Sequence, residues 1–161
     1  MPDGDYAIGT EILHQALALF EDSGDRLGQA NALNNLGRVR FITDHYSEAA
    51  DLLRRALALF EGLDDPLGQA SALNDLGRVR CLTGDYAEAG DLLHRALALC
   101  QDLGSRHGQA YALWALGRVR CLTGDYAEAG DLLHRALALC QDLAVATARR
   151  TPCGCWVGCG V

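Results

Sequence analysis

The chain contains no lysine: all fourteen of its basic residues are arginine. That bias points first to a GC-rich genome and only second to a demand for guanidinium groups. Positive charge is in any case the minority. Twenty-one acidic residues leave a net charge of −7 and a pI near 5.1. Phosphate affinity comes chiefly from clustered positive charge, so a direct nucleic-acid binder is not expected. No apolar run approaches the roughly 18–20 residues needed to cross a bilayer, and no membrane partner is expected. Asp3, Asp5 and Glu11 stand where a secretory signal would carry positive charge. Aromatic residues make up only 6% of the chain and prolines number three, while half of it is hydrophobic, mostly Ala and Leu. This is the profile of an all-helical protein.

What the chain has in abundance is itself. Leu76–Leu103 recurs without change as Leu116–Leu143, at a period of 40 residues. Leu36–Leu63 is a diverged copy, and Gly4–Gly24 matches the second half of another. A fixed period in this range predicts stacked repeats, each unit burying its apolar face against its neighbours. The expected division is a half repeat at 4–24, repeats at 25–64, 65–104 and 105–143, and a disordered or loosely attached tail at 144–161.

The second copy shows how one unit is built. Asp65-Pro66 provides an N-cap followed by proline at the first helical position. Ala70, Leu73, Leu76, Gly77 and Val79 follow at the spacing of an amphipathic helix. Gly84 ends that helix, since glycine accepts the left-handed conformation that closes it. Asp85 is placed to cap a second helix, with Glu88 completing a capping box. Ala89, Leu92, Leu93, Ala96, Leu97 and Leu99 form the buried face of this second helix. The product is a helical hairpin with two arms of about four turns each. Gly77 and Ala89 are expected to form the close contact between the arms, as are Gly37/Ala49 and Gly117/Ala129.

This pattern resembles the tetratricopeptide repeat family. The residues that carry the likeness are Leu73, Leu76-Gly77, Gly84-Asp85-Tyr86, Ala89, Leu93 and Ala96. In the third copy they are Leu113, Leu116-Gly117, Gly124-Asp125-Tyr126, Ala129, Leu133 and Ala136. The first copy has Leu33, Leu36-Gly37, Tyr46, Ala49, Leu53 and Ala56, with Asp44-His45 at the turn. The usual unit has 34 residues, so this one is longer by six, as in the arrays of large bacterial regulatory proteins. The family's frequent Tyr after Leu-Gly is replaced by Arg40, Arg80 and Arg120, whose stems are expected to pack over the hairpin. The resemblance implies an all-α fold, a right-handed α-solenoid of stacked antiparallel helix–turn–helix hairpins. It also implies a concave surface lined by the first helix of each hairpin.

On that helix the outward stripe selects Asn31, Asn34 and Arg38, then Ser71, Asn74 and Arg78, then Tyr111, Trp114 and Arg118. Stacking turns Arg38, Arg78 and Arg118 into a ladder. Guanidinium groups suit carboxylates, and asparagine amides can both donate to and accept from a peptide backbone. Peptide-binding relatives carry Asn and basic residues at these places, so the resemblance implies an extended or acidic-ended peptide ligand. The plainer alternative is that the arginines pair with neighbouring carboxylates. Tyr111 and Trp114 are either binding anchors or a cover for the end of the array.

The remaining candidates are weaker. Asp91/His94 and Asp131/His134 stand three apart and can meet along a helix, but no third residue completes a triad. Seven cysteines are an odd number. Cys81, Cys100, Cys121 and Cys140 are two repeat positions seen twice, filled by Phe20, Phe41 and Phe60 in the other copies, which marks them as apolar fillers. Cys153, Cys155 and Cys159 lack the paired knuckles of a zinc site. No phosphate loop, dinucleotide fingerprint or nucleophile elbow is present. The reading is a non-catalytic cytoplasmic scaffold for a protein or peptide partner, without metal or cofactor. A peptide-sensing module of a larger bacterial transcriptional regulator is the alternative. The unmatched ends suggest end-to-end self-association or a piece of a longer protein.

Overall fold

The computed structural model describes residues 3–150. It consists of seven α-helices: α1 (Asp3–Ser23), α2 (Arg26–Ile42), α3 (Tyr46–Gly62), α4 (Pro66–Thr83), α5 (Tyr86–Asp102), α6 (Arg106–Thr123) and α7 (Tyr126–Arg150). No strand occurs among the described residues. The hairpin arms α2 to α6 run 17 or 18 residues, nearer five turns than the expected four.

Local chemistry sets the entries and exits. The side chains of Asp25, Asp65 and Ser105 accept hydrogen bonds from the backbone N–H groups of Gly28, Gly68 and Gly108 at 2.9, 3.2 and 3.3 Å. Each thereby satisfies an otherwise orphaned donor at the start of α2, α4 or α6, and Asp65 takes the Leu67 N–H as well. Gly84 and Gly124 close α4 and α6 with φ of 88° and 86°. After α2 the same place is taken by Asp44 at φ 61°, a conformation that Asp tolerates better than most residues. The Tyr46 hydroxyl donates to the Asp44 carboxylate at 2.6 Å.

Two expectations about the termini need correction. Asp85 makes no side-chain cap bond, and Glu88 does not complete a capping box. The Glu88 carboxylate instead takes the Arg80 Nε at 2.9 Å, and Arg40–Glu48 and Arg120–Glu128 repeat that pair at 3.0 and 2.9 Å. The attraction to a full guanidinium charge at this distance outcompetes a bond to a neutral backbone donor. Arg40, Arg80 and Arg120 thus latch the two arms of each hairpin. The third copy does form its cap, with Asp125 accepting from the Glu128 N–H at 3.2 Å. The second correction concerns α7, which continues past Leu143 to Arg150. The Gly104-Ser105 stop that follows α5 is replaced there by Ala144 and Val145, and nothing local breaks the helix. The rest of the expected tail, 151–161, lies outside the described residues.

Each helix packs against the next, and α2 also touches α4 as α4 touches α6, whereas α3, α5 and α7 do not meet one another. The first arms therefore line the inner side of the stack. Leu36, Leu53, Leu73, Leu93, Leu113, Leu116 and Phe60 are its largest fully buried side chains. Burial of such a side chain is worth about 1.5–3 kcal/mol. The close contact within each hairpin is sharper than a glycine–alanine pair. A Cβ on Gly77 would come within 2.6 Å of the Leu93 side chain and 3.4 Å of the Ala89 carbonyl oxygen. A clamp between hairpins also repeats. The side-chain amides of Gln29, Gln69 and Gln109 donate to the carbonyls of Phe20, Phe60 and Cys100 at 3.0, 3.3 and 3.1 Å. Each bond ties the end of one hairpin to the start of the next.

Candidate functional site

The inner surface is built from one stripe on each of α2, α4 and α6, and the three stripes differ in character. On α2, Asn31 is exposed while Asn34 is buried and donates from Nδ2 to the Ser71 hydroxyl at 3.3 Å. On α4, Asn74 is likewise buried. Asn34 and Asn74 thus form the floor of the groove instead of its open wall. The Oδ1 atoms of both are enclosed without a hydrogen-bond partner.

The arginine ladder is unequal as well. Arg38 and Arg78 both turn to Asp75, at 3.7 and 3.6 Å. The pairing with neighbouring carboxylates considered above therefore holds for two of the three. Burial pushes the Asp75 carboxyl above the usual carboxylate range, and the two arginines pull the other way. Arg78 is wedged between aromatic rings, its guanidinium carbon 4.4 Å from the centre of Phe41 and 5.5 Å from that of Tyr111. Burial, with Asp75 nearby, raises the Tyr111 phenol against the opposing pull of Arg78. Arg118 is different. It lies over Trp114 at 5.1 Å, and no carboxylate pairs with it among the described residues. Trp114 is exposed and its ring centre is 6.0 Å from that of Tyr111.

Between α4 and α6 the groove deepens into a pocket of about 250 Å³. Arg38, Ser71, Asn74, Asp75 and Tyr111 stand on its groove side; Leu67, Ala70, Cys100 and Gly108 supply its apolar wall. His107 and Ser105 complete it. Of the candidate residues, Arg38, Asn74, Arg78, Tyr111, Trp114 and Arg118 thus belong to one continuous strip that runs from the end of α2 across α4 to α6. Asn31 and Asn34 stand at its other end. Asp75 was not among the candidates, because the stripe at 71, 74 and 78 steps over it. A carboxylate one residue from that stripe, where the other copies have Asn35 and Ala115, was the signal available.

The remaining titratable pairs offer no second site. His94 and His134 direct Nδ1 to the backbone carbonyls of Gly90 and Gly130, each at 2.7 Å, and not to Asp91 or Asp131. A ring nitrogen reaches the carbonyl one turn back more readily than a carboxylate pointing to solvent. No cluster of three or more metal-ligating side chains occurs among the described residues. Nor is any helix there long and apolar enough to cross a membrane.

The tetratricopeptide repeat family model matches residues 1–62 and 68–142. The chain belongs to that family. Tetratricopeptide repeats are generally non-catalytic scaffolds for protein–protein interaction. No curated protein matches the chain. Among solved structures it is similar to BtubC from P. vanneervenii, with a TM-score of 0.77 and 23% identity over 98% of this chain and 64% of that one. The chain therefore spans just under two thirds of BtubC. A putative kinesin light chain from Podosopora anserina with nearly identical TPR-like repeats gives a TM-score of 0.68 at 20% identity, covering 91% of this chain and 70% of that one. MamA gives 0.60 at 21% identity, with 84% and 81% covered. At these identities the likeness establishes the tetratricopeptide fold, and the groove chemistry belongs to this chain.

Proposed function

We propose that this tetratricopeptide array holds an extended peptide segment of a partner protein along the α2–α4–α6 groove, with an acidic group of the peptide at Arg118. The observation that carries the reading is the contrast among the three groove arginines. Arg38 and Arg78 already share Asp75, while Arg118 rests on an exposed tryptophan and pairs with no carboxylate among the described residues. A guanidinium held over an indole by its charge still has N–H donors to offer a carboxylate. Large aromatics and arginines are also the residues that most often dominate interface energetics. The floor amides of Asn34 and Asn74 supply polar groups along the path between.

A displayed random-peptide library selected against the full chain tests this. The expected outcome is enrichment of acidic residues at one end of the selected peptides. Their affinity should fall at least tenfold, by about 1.4 kcal/mol or more, in Arg118→Ala and Trp114→Ala with helicity unchanged. Selected peptides that bind both variants as tightly as the wild type would show that the groove assignment is wrong.

The four described cysteines are free, which supports a reducing, cytoplasmic setting for the scaffold. The 40-residue unit favours, as a second reading, a peptide-sensing segment of a larger bacterial regulator. A groove peptide that changed the hairpin spacing in solution scattering would select it. The exposed Ile8, Ile12 and Leu19 of α1 and Leu137 of α7 support end-to-end association between copies. Light scattering that gave a constant monomer mass across a hundredfold concentration range would end that part of the proposal.

A further inference from the structure

The repeats fill one core position in two different ways. At the end of each second arm stand Phe20, Phe60, Cys100 and Cys140, forty residues apart. Phe60 is fully buried, and its ring lies against Gly68 of the next hairpin; a Cβ there would come within 2.2 Å of the ring. Phe20 meets Gly28 in the same way, at 2.5 Å. One hairpin later the glycine is kept as Gly108, but no ring faces it: the Cys100 sulfur lies 2.5 Å and the Ser105 hydroxyl 3.1 Å from where a Cβ would stand. A thiol thus replaces a phenyl ring while the glycine beneath it remains.

The aromatic bulk has moved to the groove. Where the α4 stripe has Ser71, the α6 stripe has Tyr111. Between Cys100, which fills that seat with less bulk than a ring, and that tyrosine lies the pocket of about 250 Å³, with Cys100, Gly108, Ala70 and Leu67 on its apolar wall. An apolar cavity of about 150 Å³ already accepts a benzene molecule. The pocket therefore has room for an aromatic side chain together with its link to a backbone. Ser71 and Asn74 stand on its groove side, where the backbone carrying such a side chain would pass.

We propose that this pocket receives an aromatic side chain of the bound peptide, whose ring takes the place that Phe60 fills from within the chain one hairpin earlier. The inference rests on the groove reading above and names its anchor. The ring would lie over Gly108 and Cys100 with Tyr111 beside it, an arrangement aromatic pairs favour. Burial also raises the Cys100 thiol above its ordinary range, so the sulfur there acts as an apolar surface and not as a nucleophile.

The test uses N-acetyl amides of phenylalanine, tryptophan and leucine, followed by ligand-detected NMR with the full chain. The aromatic amides are expected to bind at least tenfold more tightly than the leucine amide. Cys100→Phe, which restores the internal ring, should weaken them at least tenfold while keeping helicity and an equal or higher Tm. Cys140→Phe, at the same repeat position but away from the pocket, should leave binding as it was. If Cys100→Phe does not fold, Cys100→Leu fills the seat less completely and should weaken binding in the same direction. Aromatic amides that bind no better than leucine, or that bind the filled variant as they bind the wild type, would overturn the proposal. The two readings separate cleanly. Library peptides that lose affinity in Arg118→Ala but not in Cys100→Phe retain the groove and remove the pocket. Aromatic amides blocked by Cys100→Phe, with no peptide dependent on Arg118, retain the pocket and remove the groove.

Discussion

Residues 76–103 and 116–143 are identical in sequence and differ in burial. Leu97 is 9% exposed and Leu137 is 54% exposed; Cys81 and Cys100 are buried, whereas Cys121 and Cys140 are exposed. The sole cause is what lies beyond them. Helix α6 packs on α5, and no described element packs on α7 in the same way. The pair is an internal control for the central property of a stacked-repeat protein, in which a side chain's contribution is set by the next unit as much as by its own.

The largest expected effect tests that property directly. Leu97→Ala should cost about 2–5 kcal/mol in urea unfolding, the range for emptying a leucine site in a core. Leu137→Ala, the same change in the same local sequence, should stay within about 0.5 kcal/mol of the wild type. Equal losses at the two positions would mean that α7 is covered in solution by something the stack of described helices does not include. Concentration dependence of the loss at Leu137 would then identify a second copy as that cover.

The same comparison shows where sequence reasoning reached and where it stopped. The hairpins, their caps at Asp25, Asp65 and Ser105, and the left-handed exits at Gly84 and Gly124 are local features, decided within a few residues. They were legible for that reason. The capping role assigned to Asp85 and Glu88 failed because Arg80 sits a turn away across the loop and competes for both carboxylates. Cys100 was read as an apolar filler, which is true of its chemistry. That the filler is too small for its seat follows only from where Gly108 comes to lie. The family resemblance and the helical spacing likewise place Asn34 and Asn74 on the open groove; close packing of α2 on α4 and α4 on α6 is what lowers them into its floor.

A medium effect sharpens the comparison between two glycines of one hairpin. Gly77 lies under Leu93, while nothing stands within 4 Å of a Cβ placed on Gly90. Gly77→Ala forces Leu93 off its seat and should cost about 1–3 kcal/mol, the usual penalty of overpacking. Gly90→Ala adds a methyl to open space in the middle of α5 and should gain about 0.5–1 kcal/mol through backbone entropy. Urea titrations of both variants read the two signs. A loss at Gly90 of the size seen at Gly77 would mean that its face is occupied.

The smallest expected effect concerns a charged difference beside the two groove stripes, Asp75 in α4 against Ala115 in α6. Burial raises the Asp75 carboxyl above 3.8, with Arg38 and Arg78 only partly opposing it. The folded state therefore holds this proton more tightly than the unfolded chain, so the group lowers stability as pH rises through the interval above 3.8. At neutral pH its burial penalty is fully present; on acidification into that interval the penalty is relieved. Asp75→Asn has nothing to titrate there. The stability of the wild type minus that of Asp75→Asn should accordingly increase as pH is lowered from neutrality toward 4, even where both proteins lose stability through other carboxylates. Paired urea titrations along the pH series measure the difference. A difference that decreases with falling pH would mean that the two arginines outweigh burial. Asp75 would then stay ionised through this interval and offset one of the two central guanidinium charges, while Arg118 would keep its full charge for an acidic peptide.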